Sequence, residues 1–208
     1  MDSRYNLSKL FSKAFGINAP IFITEQIEQT TDNVLDYSGI TYLPDYYKRD
    51  QTSYLNTPVI GLLTFKAGSY PIYTPNGEIA NISFDELTLP ASTLFSFRRA
   101  KNITKTNLLG SNGTIKEIFG FDDWIIDVKG LCLDNDAFSA RQQMSKIELW
   151  EEIAGSITIS SKLFTSKKIR AVVMEDYRQE SVQGSPGVIP FSMTLCSDDA
   201  VELILPSL

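Results

Sequence analysis

Acidic side chains are the residues of this sequence whose type and spacing could do chemistry, and they form three groups. The groups are Asp122 with Asp123, Asp134 with Asp136, and Glu148 with Glu151 and Glu152. Paired carboxylates can serve as general acid and general base, so a hydrolase that uses Asp122 and Asp123 is one hypothesis that the sequence leaves open. Acids in a predicted turn are usually turn formers, however, and glutamates on a helix surface are usually solvated.

The absence of histidine limits that chemistry. The 208-residue chain contains none, which excludes Ser-His-Asp and Cys-His catalysis and the commonest zinc ligand. A calcium loop that begins at Asp134 would need a glutamate at its twelfth position, and Ser145 stands there. We therefore predict a protein that is not an enzyme, with no catalytic, cofactor-binding or metal-binding residues.

Basic residues concentrate in one part of the sequence. They are Arg98, Arg99, Lys101, Lys105 and Lys116. The run could hold phosphate, but no stacking aromatics interleave with it in the sequence, and the net charge of −6 opposes general nucleic-acid binding. We predict instead that Arg98, Arg99 and Lys101 form ion pairs with a neighbouring subunit, whose helix glutamates are candidate partners. DNA is expected only as passing cargo.

Tyrosines crowd a weakly periodic segment between residues 18 and 57. The candidate interface residues are Tyr37, Tyr42, Tyr46 and Tyr47. Tyrosine offers large contact area at small entropic cost, which favours a subunit interface. An ordinary surface arm packed on its own core explains the pattern equally well, and a stacking groove for carbohydrate is a further alternative.

The elements that must position these residues are mostly strands. Trp124, Ile126, Val128 and Cys132 share one parity, which is typical of a half-buried strand. We predict that residues 111–133 form a hairpin that turns at residues 120–123. Further strands are expected over residues 58–65, 169–177 and 189–196, an extended segment over 85–99, and a flexible loop over 109–113.

Two helices and two regions complete the organisation. A short amphipathic helix is predicted over residues 5–16, packed either on its own domain or in a neighbouring subunit, and this terminus is expected to serve assembly rather than folding. A second helix is predicted over about 137–154, with its N-cap among residues 134–136. Residues 1–57 are expected to form the N-terminal helix and the irregular tyrosine-rich arm, and residues 58–208 a β-rich core domain. The predicted class is mainly β (α+β), with one flanking helix and extended terminal arms.

The remaining bulk features favour a soluble chain. No apolar run has the length that a membrane helix requires, and the N-terminus lacks the pattern of a secretory signal. We expect no membrane partner. Cys132 and Cys196 are read as small buried hydrophobes in a reducing compartment, with a disulfide or a reactive thiol as the alternative.

The C-terminal half resembles a family of phage tail proteins. The segment KTNLLGSNGTIKEIFGFDDWIIDVKGLCL is followed by a capped helix and then by KKIRAVVMEDY and IPFSMTLCSDD. Its G-T-x-K-E and D-x-x-I-x-V-K-G patterns are similar to those of small tail-associated proteins of phages and of phage-derived contractile injection systems. The segment is also broadly similar to tail-tube-like and baseplate-adaptor proteins.

The resemblance implies a β-sandwich or barrel with one flanking helix that forms a ring subunit. It further implies self-association into a ring homo-oligomer, with a hexamer among the candidate sizes, and contacts with other tail or baseplate proteins. The expected location is the virion, after synthesis in the host cytoplasm. The expected function is structural; the alternative is a host-surface or carbohydrate-binding module of a phage-like particle.

Overall fold

Strands make up most of the protein, which confirms the predicted mainly-β class. The structure, a computed structural model, describes residues 5–18, 21–23, 37–38, 40–42, 59–60, 62–74, 76–90, 92–110, 112–134, 139–180 and 187–198. Its helices are α1 (Leu7–Phe15), α2 (Ala140–Glu151) and α3 (Lys162–Thr165). Its strands are β1 (Tyr5–Asn6), β2 (Ile21–Ile23), β3 (Tyr37–Ser38), β4 (Ile40–Tyr42), β5 (Val59–Ile60), β6 (Thr64–Phe65), β7 (Gly68–Tyr73), β8 (Ile79–Phe84), β9 (Leu87–Thr88), β10 (Thr93–Asn107), β11 (Thr114–Leu133), β12 (Ile157–Ser160), β13 (Ala171–Gln179) and β14 (Val188–Ser197).

One large sheet organises these strands. Its order is β4-β2-β5-β10-β11-β14-β13-β12-β6-β9, and β1-β3 and β7-β8 form two separate pairs. Over the described residues this sheet has two open ends, at β4 and β9, so it is not a closed barrel. The four central strands, which lie in the order β10, β11, β14 and β13, are antiparallel to one another.

The central hairpin differs from the predicted one. Residues 120–123 do not reverse the chain, because β11 runs straight through them as one strand of 20 residues. The hairpin instead joins β10 to β11: Asn107 is paired with Thr114, and the chain reverses between these two residues, where a flexible loop was predicted over residues 109–113. Glycine and aspartate suit a β-bulge as well as a turn, and long-range pairing with β10 decides in favour of the bulge.

The inner face of the sheet carries the main core. The predicted parity of β11 is confirmed, since Ile126, Val128 and Cys132 are buried there. Opposite them, α2 contributes a buried stripe that ends at Trp150, whose ring lies 5.1 Å from that of Phe65. The remaining cover comes from α3, β6 and the β7–β8 hairpin.

Gly130 is required by the packing of this core. A Cβ atom at Gly130 would lie 2.3 Å from the ring of Phe191 on β14 and 2.9 Å from the hydroxyl of Thr93. These separations are below van der Waals contact, so the aromatic ring crosses β11 at a place that only glycine leaves open.

A second core lies on the outer face, beneath α1. Leu7 and Phe11 of this helix are fully buried against Leu131 and Leu133 of β11 and Val188 of β14. The helix was predicted over residues 5–16, packed either on its own domain or in a neighbouring subunit. In the structure it packs on its own domain. The expectation that this terminus contributes little to folding is therefore wrong.

The caps explain the helix bounds. The Asn6 side chain accepts from the Lys9 amide at 3.0 Å, and Gly16 ends α1 in the left-handed conformation at φ 67°. The second helix begins later than predicted, because a capping box between Ser139 and Gln142 sets its first residue. Asp134 still assists, since its carboxylate accepts from the Ala140 amide at 2.6 Å.

Two shorter elements depart from the sequence prediction. The single strand expected over residues 58–65 is divided into β5 and β6, which pair at different places in the sheet. The sequence predicted two helices, and α3 is a third. Between β7 and β8, Asn76 and Gly77 form a pair typical of turns, with Gly77 at φ 81°.

Candidate functional site

A two-stranded projection is the most exposed part of the sheet. Residues 99–107 of β10 and 114–121 of β11 pair with each other, and in the described part of the chain no third strand pairs with either segment. We call these two segments, with the connection between them, the arm. Nine residues of extended strand reach about 27 Å beyond the sheet.

Two bulges shape the arm, and both lie on β11. Between the pairs Arg99–Trp124 and Lys101–Phe121, the second strand has one additional residue. It has another at Phe119, next to Gly120 with its φ of 137°. Because β10 has no bulge, its regular alternation continues, while Trp124, Phe121 and Ile118 come to share a face although they are three residues apart.

The face of the arm that continues the inner face of the sheet is basic and aromatic. We call it the basic face; its β10 residues are Arg99, Lys101, Ile103 and Lys105, opposite Trp124, Phe121, Ile118 and Lys116. The Arg99 guanidinium lies 4.9 Å from the ring centroid of Phe121 and 5.4 Å from that of Trp124. The Lys101 ammonium lies 5.7 Å from the Phe121 ring. The sequence prediction that aromatics do not interleave with the basic run is therefore wrong.

The cations at the base of this face are held in place. The Arg99 side chain donates to the backbone carbonyl of Asp122 at 2.7 Å. Lys167, which follows α3, places its ammonium 5.0 Å from the Phe97 ring and 5.1 Å from the Trp124 ring. Partial burial lowers the pKa of Lys167. Two cations thus lie within 5.4 Å of the centroid of the Trp124 ring, and this local positive charge favours an anionic partner.

Lys105 and Lys116 lie directly opposite each other near the end of the arm. Both are exposed. Like charges in directly opposed positions destabilise a two-stranded pair. An anion that binds between them would remove this repulsion.

The structure separates the three predicted basic interface residues. Arg99 and Lys101 lie together on the basic face, whereas Arg98 is paired with Ile125 on the opposite face. All three are exposed. A single partner surface can therefore contact Arg99 and Lys101 at once, but not Arg98 with them.

The outer face of the sheet, at the base of the arm, carries more carboxylates than cations, although Arg98 lies there opposite Ile125. Ile125, Cys196 and Val173 form one row across three strands, and Asp127, Thr194 and Asp176 form the next. Burial raises the pKa of the Cys196 thiol, and the nearby carboxylates Glu175, Asp123 and Asp122 raise it further. We call the carboxylates Asp122, Asp123, Asp127 and Glu175, with the row of Ile125, Cys196 and Val173, the acidic face.

Exposed apolar side chains are the feature of the arm that sequence reasoning missed. They occur on both faces and at the tip, at Ile103, Leu108, Leu109, Ile115, Ile118, Phe119 and Phe121. Phe119 and Phe121 keep 68% and 63% of their surface exposed. The signal was present in the mixed polar and apolar pattern of residues 114–119, which suits a strand with no buried face.

The predicted tyrosine interface is largely outside the described part of the chain. Tyr46 and Tyr47 lie outside the described residues. Tyr37 belongs to β3, paired with Tyr5, and Tyr42 belongs to β4, paired with Ile23. The tyrosine interface thus stays a prediction.

The described carboxylates and cysteines offer no metal-binding arrangement. In the ranges that the structure covers, no group of three or more of these side chains is arranged to hold a metal ion. Asp122 and Asp123 lie in the first bulge, where the Asp122 carboxylate accepts from the Asp123 amide at 3.0 Å. None of the described helices is long and apolar enough to cross a membrane.

Together the fold and the arm define a mainly-β protein with an exposed, charge-segregated β-ribbon. Residues 88–207 match the family described as a domain of unknown function, DUF6046, and the chain belongs to that family. The matched region contains both strands of the arm, the acidic face and α2. No curated protein matches the sequence.

Proposed function

We propose that this protein is a structural subunit of a phage tail or baseplate, a ring component similar to a tail-tube initiator or adaptor. The observation that carries the proposal is the arm, which exposes apolar side chains on both faces and at its tip. The resemblance of residues 105–133 to tail-associated proteins supports the same function, since these residues build β11 and the end of the arm.

The exposed apolar surface favours a partner. A hairpin of two strands is marginally stable by itself in water, and contiguous exposed apolar surface is typical of an interaction site. Burial contributes about 25 cal/mol for each Å² of apolar surface removed from water. The arm thus gains stability from association that its own fold does not supply.

The dimensions of the arm favour a closed assembly over a simple dimer. Two strands 4.8 Å apart and about 27 Å long present roughly 300 Å² on one face. A stable interface buries about 800 Å² on each partner. One arm face is too small to hold an isolated pair tightly, whereas in a ring each copy is held on two sides. This supports a ring homo-oligomer, with other tail or baseplate proteins as further partners in the virion.

The charge of the chain suits this role. With a net charge of −6, the protein as a whole repels nucleic acid. Such a balance allows DNA to pass through a ring as cargo without being retained.

The experiment compares the full chain with a variant whose arm is shortened. Residues 102–120 are replaced by Asn-Gly, because a two-residue turn can join the opposed residues Lys101 and Phe121. We expect rings of the full chain in electron micrographs and fast sedimentation, and a folded monomer for the variant. A full chain that stays monomeric at all concentrations would overturn the proposal, as would a variant that assembles normally.

A further inference from the structure

We infer that the basic face of the arm binds the acidic face of a second copy of this chain, a contact that rests on the proposed function and names its partner surface. The two faces belong to one sheet but lie on opposite sides of it. The acceptor in the neighbour is thus the outer side of β11, β14 and β13, rather than the helix glutamates that the sequence suggested.

Among the residues that the structure describes, none supplies a compensating charge to the basic face. Arg99, Lys101, Lys105 and Lys116 lie opposite aromatic, apolar or basic residues, and no carboxylate stands among these pairs. In the described ranges none of the four forms an ion pair. Four cations and three apolar side chains therefore face solvent together.

The acidic face has the complementary composition. Asp122, Asp123, Asp127 and Glu175 form no ion pair with any described cation, whereas Asp176 is paired with Arg178 at 2.9 Å. The row formed by Ile125, Cys196 and Val173 is only half-buried. The four carboxylates are spread around this row and do not enclose a metal site. Carboxylates beside a half-buried apolar row match cations beside exposed apolar side chains.

Helix α1 leaves the acidic face open. Its buried contacts are with Leu94, Leu131, Leu133 and Val188, which lie toward the other end of the central strands. The sheet is thus covered on its outer side where α1 packs, and none of the described helices packs on it from Asp127 toward the arm. This part adjoins the projecting arm, so a neighbour can approach it without displacing α1.

The position of the two faces dictates the kind of contact. Opposite sides of one sheet cannot meet within a chain, so the pairing requires two copies. The surfaces that meet are different, so the contact is head-to-tail, and repetition of a head-to-tail contact gives a ring or a filament.

The helix glutamates are a poorer acceptor. Burial is the main cause of the raised pKa of Tyr177, and the nearby carboxylates of Glu148 and Glu151 raise it further. Glu148 also contributes to the raised pKa of the Cys132 thiol. These carboxylates are thus near the chain's own sheet. Nucleic acid is disfavoured because Asp122 and Asp123 at the base of the arm would repel it.

The test uses three double variants of the full chain. The first, Lys101→Glu with Lys105→Glu, reverses the basic face. The second, Asp123→Lys with Glu175→Lys, reverses the acidic face. The third, Glu151→Lys with Glu152→Lys, makes the same charge change on α2 and is the matched control. Sedimentation at low and high salt measures association, and thermal melting checks the fold.

We expect the first and second variants each to associate at least tenfold more weakly than the original chain, and the α2 variant to be unaffected. A one-to-one mixture of the first two should assemble again, because both contacts in an alternating assembly then join opposite charges. This recovery cannot occur if either variant has failed to fold.

The outcomes separate this inference from the proposed function. A ring-forming chain that is weakened by the α2 variant, or whose mixed variants do not assemble, would overturn the inference and leave the function standing. DNA binding that requires Lys101, measured with a fluorescent duplex, would assign the basic face to nucleic acid instead. A chain that never self-associates would refute both.

Discussion

Reversing the charge of Lys105 alone should stabilise the arm and weaken assembly at once. Lys105 lies directly opposite Lys116, and both are exposed. In Lys105→Glu this repulsive pair becomes attractive, and opposed charge pairs contribute roughly 0.2–1 kcal/mol each. In the assembly, the same substitution replaces attraction to the acidic face by repulsion. A change of about 1 kcal/mol at each contact weakens association roughly fivefold.

Two measurements test this pair of effects. Amide hydrogen exchange of the arm should slow in Lys105→Glu under conditions where the protein is monomeric, because local opening of the strands becomes less favourable. Sedimentation should show weaker association at low salt, with the difference from the original chain shrinking as salt screens the charges. Faster exchange in the arm would refute the assigned register, and association that is unchanged or stronger would refute the assigned partner.

Thr104→Lys is the matched control. Thr104 is opposite Glu117 on the other face of the arm. A lysine there also creates an attractive cross-strand pair, so the arm should again exchange more slowly. Association should not weaken, because the new charge does not face the acidic surface of the neighbour. The comparison of Thr104→Lys with Lys105→Glu would then separate the effect of a more stable arm from the effect of a lost contact between subunits.

Three further predictions concern the body of the protein. Gly130→Ala should lower the free energy of unfolding by about 1–3 kcal/mol in urea denaturation, because its methyl group would overlap the Phe191 ring; a neutral result would contradict the packing of that ring. Phe11→Ala should cost about 3–5 kcal/mol, since the side chain is fully buried, whereas the exposed Lys13→Ala should be close to neutral. Burial raises the pKa of the Cys132 thiol from 9.0 to about 12. As pH rises from 9 toward 12, the unfolded chain loses this proton before the folded chain does, so the free energy of unfolding should fall. If a Cys132→Ala variant shows the same dependence of melting temperature on pH, this cause is disproved.

The sequence was most informative where side-chain alternation reflects burial. Ile126, Val128 and Cys132 were each correctly assigned to one buried face. These predictions succeeded because a period of two is a property of the strand itself. The packing of α1 was left open, because an amphipathic helix shows which face it buries and not what covers that face.

The errors at the arm have one physical cause. Glycine and aspartate at residues 120–123 suit either a tight turn or a bulge, and only the partner strand decides between them. Taking them as a turn divided β11 in two. It also concealed the aromatic part of the basic face, because Phe121 has the opposite parity to Trp124 unless a bulge lies between them.

The arm combines local features that its own fold does not require. A repulsive pair, cations without an ion pair and exposed phenylalanines each lower the stability of a hairpin to which the described part of the chain adds no third strand. Sequences depart from local consistency mainly where function demands it. Contact with a surface that is both apolar and acidic would offset all of these unfavourable features. The acidic face, on the opposite side of the same sheet, is such a surface. Self-association therefore accounts for the charge and the exposed hydrophobicity of the arm together, whereas a nucleic-acid ligand would account for the cations alone.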